Sequence, residues 1–212
     1  MSGSPLGPGA FLAVVGASGA GKDSVLSYAR ERCPDEACFP RRVITRPPGP
    51  GEDHQPATEA EFAAGLGRGD FAVSWRAHGL RYGIPADADA QVRAGRVVVA
   101  NVSRAVLGDL AGRYQRLIVA VVTVSPRVRA QRLRARGRES DEGIGRRLSR
   151  PDPAPGHQAD VVISNDGPVT QGGDALLSAI RAARRTTRLL LDSLCAIQGL
   201  TGLSGGSRPA TA

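Results

Sequence analysis

The chain has 212 residues, a formal net charge of +8, and 41% apolar but only 4% aromatic residues, which suits one buried domain with a modest insertion and not two large ones. No apolar run approaches the roughly 18 to 20 residues needed to cross a bilayer, so no membrane partner is expected. The basic balance favours anionic partners in general, while the absence of aromatics interleaved with basic residues, with Trp75 the lone tryptophan, argues against a specific nucleic-acid platform.

Residues 1–9 have neither the basic start nor the apolar centre of a signal peptide and read as a disordered leader. Three cysteines (Cys33, Cys38, Cys195) are an odd number without metal-site partners, which points to reduced thiols and a cytoplasmic protein. The apolar run Phe11 to Val15 reads as a buried strand. It feeds Gly16, Ala17, Ser18, Gly19, Ala20, Gly21 and Lys22, which fit the phosphate-loop pattern G-x-x-x-x-G-K-[ST] up to its last position. In such a loop, glycines let backbone N–H groups close around phosphates, the lysine reaches the outer ones, and the helix that follows, expected over about 22–32, aims its positive end at the anion. Lys22 is the only lysine among 28 basic residues, in keeping with a site that needs a compact ammonium. Asp23 stands where the pattern has a hydroxyl. It either ligates Mg²⁺, directly or through water, or caps the helix with favourable charge. Ser24 follows as a compensating hydroxyl that helix rotation turns elsewhere.

Beyond this unit, Arg41 to Arg46 reads as a short strand with basic ends, and the Pro/Gly run 47–51 as an irregular loop. Thr58 to Leu66 carries a capping-box pattern (Thr58, Glu61), with Gly65, Gly67 and Gly69 closing the helix. Phe71 to Trp75 alternates like a strand, with a turn at His78-Gly79 and a return through Tyr82, so that 40–85 forms a small α+β insertion. A helix over 87–94, a strand from Arg96 to Ala100, a helix over 103–114 and a continuous apolar strand over 117–124 follow. Ser125-Pro126 opens another helix. It leads into an arginine-rich run ending at Arg150, which is either a solvated helical face or a lid over about 137–150. A strand over 160–164, a turn at Asn165-Asp166-Gly167, a helix over 174–191 and a partly disordered extension over 191–212 complete the chain, with one domain expected over 10–190. Strands alternating with helices give an α/β, three-layer fold with a parallel core sheet, and place Lys22, Asn101 and Ser103 at strand carboxyl ends, where such sheets bind ligands.

The phosphate loop, Thr45 to Glu52, Trp75 to Gly83, and the Arg132, Arg136, Gly137, Arg138 segment, in that order, resemble the guanylate kinase superfamily over about 10–185. The resemblance implies a P-loop nucleoside-monophosphate-kinase-like core, an acceptor-binding insertion and an arginine lid. The chain departs from guanylate kinases at three points: Gly49 replaces a second phosphate-clamping arginine, and Ser74 and Ser103 stand near where guanine-reading carboxylates should fall. A guanine site without those carboxylates loses its main discrimination. The Lys22-Asp23-Ser24 loop ending, Glu52-Asp53-His54, and Ser74 to Pro85 look more like the ribose 1,5-bisphosphate phosphokinases of phosphonate breakdown. That likeness implies transfer of the γ-phosphoryl of ATP to ribose 1,5-bisphosphate, with Mg²⁺.

On this reading Gly16 to Ser24 hold ATP. Lys22 with Arg132, Arg136, Arg138 and Arg147 supplies catalytic charge, and Asp23 is the metal candidate. Arg42, Arg46, His54, Trp75, His78, Tyr82 and Ser103 are the acceptor candidates. Trp75 and Tyr82 equally suit core packing, and His78 a turn. A nucleoside-monophosphate kinase is the nearest rival, and a non-catalytic binding module of the same superfamily the more distant one. The partner expected is a small phosphorylated sugar; the oligomeric state, a homodimer included, is left open.

Overall fold

The computed structural model describes residues 4–49, 52–135 and 158–201. Its centre is a parallel sheet of four strands in the order β6-β1-β7-β8: β1 (Ala10–Val15), β6 (Val97–Asn101), β7 (Leu117–Thr123) and β8 (Val161–Ser164). All six residues of β1 are fully buried, because β1 lies between β6 and β7 and is covered on both faces. The pleat divides its side chains in two. Ala10, Leu12 and Val14 join Val25, Leu26, Leu176 and Ile180. Phe11, Ala13 and Val15 join Val92, Leu107, Leu110 and Ile84.

The first face is covered by α1 (Lys22–Arg32) and by the last helix, α6 (Val169–Thr201); α3 (Asp87–Arg93) and α4 (Leu107–Arg113) lie on the second. A second sheet, β3-β2-β5-β4, forms the insertion. It comprises β2 (Arg42–Ile44), β3 (His54–Pro56), β4 (Phe71–Ala77) and β5 (Leu80–Pro85), with α2 (Glu59–Arg68) between β3 and β4. β2 runs antiparallel to β5 and parallel to β3. The expected α/β architecture, a parallel core with a small α+β insertion, is what the chain forms.

Several local expectations need correction. Leu6 is not in a disordered leader: its N–H donates to Arg113 O at 2.8 Å, its carbonyl accepts from Gln115 N at 2.8 Å, and its side chain packs against the second core face. The capping box at Thr58 forms in both directions (3.1 and 2.7 Å), but α2 passes through Gly65 and Gly67 to Arg68 and stops at Gly69, whose φ of 78° is left-handed. Helix α6 begins at Val169, not near Asp174, and continues to Thr201. Gly172 and Gly173 lie in its first turns and pack closely: a Cβ on Gly173 would lie 2.0 Å from the Tyr28 ring, and one on Gly172 3.2 Å from Val25 Cγ2. The short strand β3 was not expected; its proline sits in a three-residue strand at the edge of its sheet, where a missing donor is tolerated. Arg136, Arg138, Arg147 and the proposed lid lie outside the described residues.

Candidate active site

The loop between β1 and α1 turns at the carboxyl end of the core sheet. Gly16 sits at φ 151° and a Cβ there would come 2.4 Å from Val122 O, while Gly21 sits at φ 88° with the Asn165 amide 2.3 Å from where its Cβ would be, so both positions require glycine. Lys22 Nζ donates to Gly16 O (2.8 Å) and Ala17 O (3.1 Å), folding the ammonium back across the loop it serves. Three side chains hold the loop from outside. Asn165 Nδ2 donates to Ala20 O at 2.8 Å, Arg129 Nε to Ser18 O at 2.9 Å, and Arg132 Nη1 to Ala20 O at 3.4 Å. Arg129 and Arg132 are three residues apart on α5 (Pro126–Ala135), so both face the loop. Arg132, expected to supply charge to the transferring group, here donates to a carbonyl of Lys22's loop.

Asp23, on the first turn of α1, uses a single oxygen for two partners. Its Oδ1 accepts from Arg42 Nη2 at 2.9 Å and from Asn101 Nδ2 at 2.8 Å. Arg42 belongs to β2 of the insertion, and Asn101 ends β6 of the core, so this carboxylate joins three elements. A cleft opens beside it, lined by Asp23, Ser27, Arg30, Arg42, Asp53 and Asn101 among others. Asp53 closes its far wall by pairing with Arg30 and with Arg41 (2.7 Å). Burial pushes the Asp53 carboxyl up, but the two arginines outweigh it and hold it below the usual carboxylate range.

The remaining acceptor candidates divide. Arg46 Nη1 binds Glu52 Oε2 at 2.6 Å, which raises the arginine's pKa and keeps it charged, and Glu52 also accepts from Gly49 N at 3.1 Å, tying down the start of the Pro/Gly loop. Trp75 and Tyr82 stack across β4 and β5 with centroids 5.4 Å apart and planes 7° from parallel. Pairing of Ile44 with Tyr82 puts the stack on the same sheet face as Arg42. His54 is a different case. It is 2% exposed, and its Nε2 lies 3.0 Å from Arg46 O, so it supports the Arg46 segment from within the core and does not face open space. His78 occupies the tip of the β4–β5 hairpin at φ 55°, in keeping with the turn alternative, and does not line the cleft. Ser103 Oγ accepts from Ala105 N at 3.2 Å, capping the short 3-10 turn after β6. Ser24 is exposed, one residue further round α1.

Three of these contacts escaped the sequence reading. Asn165 reads as part of an Asn-Asp-Gly turn, and Glu52 enters only through the motifs of the resemblance, with no role of its own. The spacing of Arg129 and Arg132 was the available signal for the third.

A metal would have little to grip here without nucleotide: among the described residues, no group of three or more His, Cys, Asp or Glu is placed to hold one. Mg²⁺ takes much of its coordination from phosphate and water, and the Asp23 carboxylate has lone pairs beyond the two bonds it accepts. The residues therefore fit a cation carried on a nucleotide with one protein oxygen.

A phosphate loop at the end of a parallel sheet, joined to an inserted sheet whose Arg42 lines the adjoining cleft, is the arrangement of P-loop kinases with a guanylate-kinase-like fold. The guanylate kinase of Anaplasma phagocytophilum superposes with a TM-score of 0.60 over 84% of this chain and 88% of that one; at 17% identity the likeness is one of fold. No protein-family model matches the chain. Similarity to ribose 1,5-bisphosphate phosphokinases is far higher. The enzyme so named (PhnN) from Pseudofrankia inefficax is 71% identical over 175 residues, covering 82% of this chain and 92% of that one, and its counterpart from Bradyrhizobium diazoefficiens is 45% identical over 83% and 90%. A bifunctional ribose 1,5-bisphosphokinase-thymidine phosphorylase from Cupriavidus necator matches at 44%, over 84% of this chain and 30% of its own length. The chain belongs to the ribose 1,5-bisphosphate phosphokinase family and is a kinase. No helix among the described residues is long and apolar enough to cross a membrane.

Proposed function

We propose that this chain transfers the γ-phosphoryl group of ATP to ribose 1,5-bisphosphate, yielding ADP and 5-phospho-α-D-ribose 1-diphosphate. An oxygen of the acceptor's 1-phosphate bonds to the γ-phosphorus as the bond from that phosphorus to the β,γ-bridging oxygen breaks, and the electron pair leaves with ADP. Because a phosphate monoester is already largely ionised at neutral pH, with a second pKa of about 6, the reaction needs no general base. The work left to the protein is positioning and neutralisation. Lys22 exchanges its carbonyl partners for donor phosphate oxygens, and the first backbone N–H groups of α1 complete the cradle. Arg129 and Arg132 keep the loop in shape from outside. Asp23 would offer the protein oxygen to a Mg²⁺ carried on the donor phosphates, which would supply further neutralisation there. Arg42 and Arg46 meet the acceptor's phosphates, while the Trp75–Tyr82 stack offers a flat wall to the sugar. The proposed lid arginines Arg136, Arg138 and Arg147 complete the charge on the transferring group.

The observation that carries this reading is Arg42, held by Asp23 (2.9 Å) beside the end of Lys22's loop, in a chain without carboxylates at Ser74 and Ser103. That combination suits an anionic sugar better than a guanine base. An ADP-release assay on ribose 1,5-bisphosphate, GMP, AMP and dTMP tests it. The expected result is turnover chiefly with the sugar bisphosphate; faster turnover with GMP would overturn the reading.

A further inference from the structure

An aspartate at position 23 places a negative charge next to phosphates that the loop exists to attract. Such a charge weakens anion binding unless another interaction offsets it. The offset is visible in the contacts of Oδ1, which holds Arg42 Nη2 at 2.9 Å and Asn101 Nδ2 at 2.8 Å. The Arg42 side chain is only 18% exposed although Asp23 is 46% exposed, so the guanidinium lies inside the cleft wall while the carboxylate borders the opening. Asn101 is buried at the end of β6 and fixes the carboxylate from below. This arrangement differs from an ordinary surface ion pair, in which both partners wander and little is gained. A serine or threonine at this position would be neutral and shorter, and could not orient a guanidinium on another sheet.

We propose that Asp23 is a positioning residue that couples the donor loop to the acceptor pocket: through one carboxylate oxygen, it holds Arg42 and Asn101 so that the acceptor's phosphate meets a pre-aimed guanidinium. The proposal rests on the reading of this cleft as the acceptor site. It gives the departure from the usual loop ending a specificity role that is separate from metal binding. An unrestrained Arg42 would lose rotamer freedom on meeting the acceptor, and Asp23 has already restricted that freedom before the acceptor arrives. Acceptor affinity should therefore depend on Asp23 even with neither nucleotide nor metal present, which a residue acting only through Mg²⁺ would not show.

The test is calorimetric titration of ribose 1,5-bisphosphate into the full-length protein in EDTA, without nucleotide, for wild type, Asp23→Thr, Arg42→Ala and the double variant. Asp23→Thr should weaken binding about tenfold, Arg42→Ala at least as much, and the double variant should lose no more than about twofold beyond Arg42→Ala alone. Wild-type affinity in Asp23→Thr, or losses that simply multiply in the double variant, would overturn the proposal. Melting curves check that each variant is folded. Were Asp23→Thr to unfold, Asp23→Asn, which keeps the shape but loses the charge, takes its place, with a weakening of about fivefold expected. If the wild-type protein binds no ribose 1,5-bisphosphate, the acceptor assignment fails instead. The same cycle, run on whichever phosphorylated acceptor the ADP-release panel selects, then decides the Asp23 coupling on its own: multiplicative losses overturn it and non-additive ones sustain it.

Discussion

Two carboxylate–arginine clusters stand at opposite ends of the core sheet and are built to different ends. At the amino end, Asp89 is 8% exposed and accepts from Arg113 through both oxygens, and Tyr114 Oη adds a third bond at 2.8 Å. Burial, and then the bond to Asp89, pushes the Tyr114 phenol up, so it remains a donor throughout the ordinary pH range. Every part of that cluster is committed within the fold. At the carboxyl end, Asp23 is 46% exposed and borders a cleft, and its partner Arg42 sits on the other sheet. The same chemistry, closed, holds α3 to the end of α4; half open, it lines a site. Exposure of the carboxylate distinguishes the two roles more clearly than the number of bonds it accepts.

Substitutions at the two ends should separate activity from stability. The largest effect expected is at the open end. Lys22→Ala should lower kcat by about 10³-fold, as loss of a charge on the transferring group does, with an unchanged melting temperature. A variant that kept its turnover would remove the loop from the chemistry. At the closed end Asp89→Ala should cost about 3 kcal/mol in denaturant titration, the low end for breaking a buried pair because Arg113 is 38% exposed, with activity per folded molecule retained. Burial alone would push the Asp89 carboxyl up, but the Arg113 and Tyr114 bonds hold it below the usual range. Its stabilisation is therefore full above the unfolded value of about 3.9 and is lost as the pH falls through the folded one. Acid titration of Asp89→Asn should accordingly show a shallower loss of stability than wild type; an identical profile would contradict the assignment.

Between the two ends, Gly173→Ala forces a Cβ to within 2.0 Å of the Tyr28 ring. It should cost about 1–3 kcal/mol by overpacking α1 against α6. Smallest is Glu36→Ala. Its pairs with Arg184 (3.1 Å) and Arg181 (3.4 Å) are largely exposed, and the melting curve should move by no more than about 1 kcal/mol allows.

The contrast between the ends also marks what the sequence could express. Strand, loop and first helix were legible because their signals are local: an apolar run, spaced glycines and a lysine. The Thr58–Glu61 capping box was legible for the same reason. The Asp23–Arg42–Asn101 junction was not, since its members are 19 and 78 residues apart and meet only when the insertion folds over the core. His54 illustrates a second limit, because a histidine beside two acids reads as a ligand until its burial is known. The start of α6 illustrates a third: the sequence places it near Asp174, whereas the helix runs from Val169 through Gly173, whose missing Cβ lets it approach the Tyr28 ring.

The acceptor is the central claim, and the product identifies it most directly. Phosphorus NMR of a reaction containing ATP, Mg²⁺, ribose 1,5-bisphosphate and this protein should show the 1-phosphate resonance replaced by a coupled pair of diphosphate resonances, with the 5-phosphate resonance unmoved. A new diphosphate at the 5-position, or one formed only when GMP is supplied, would contradict the account.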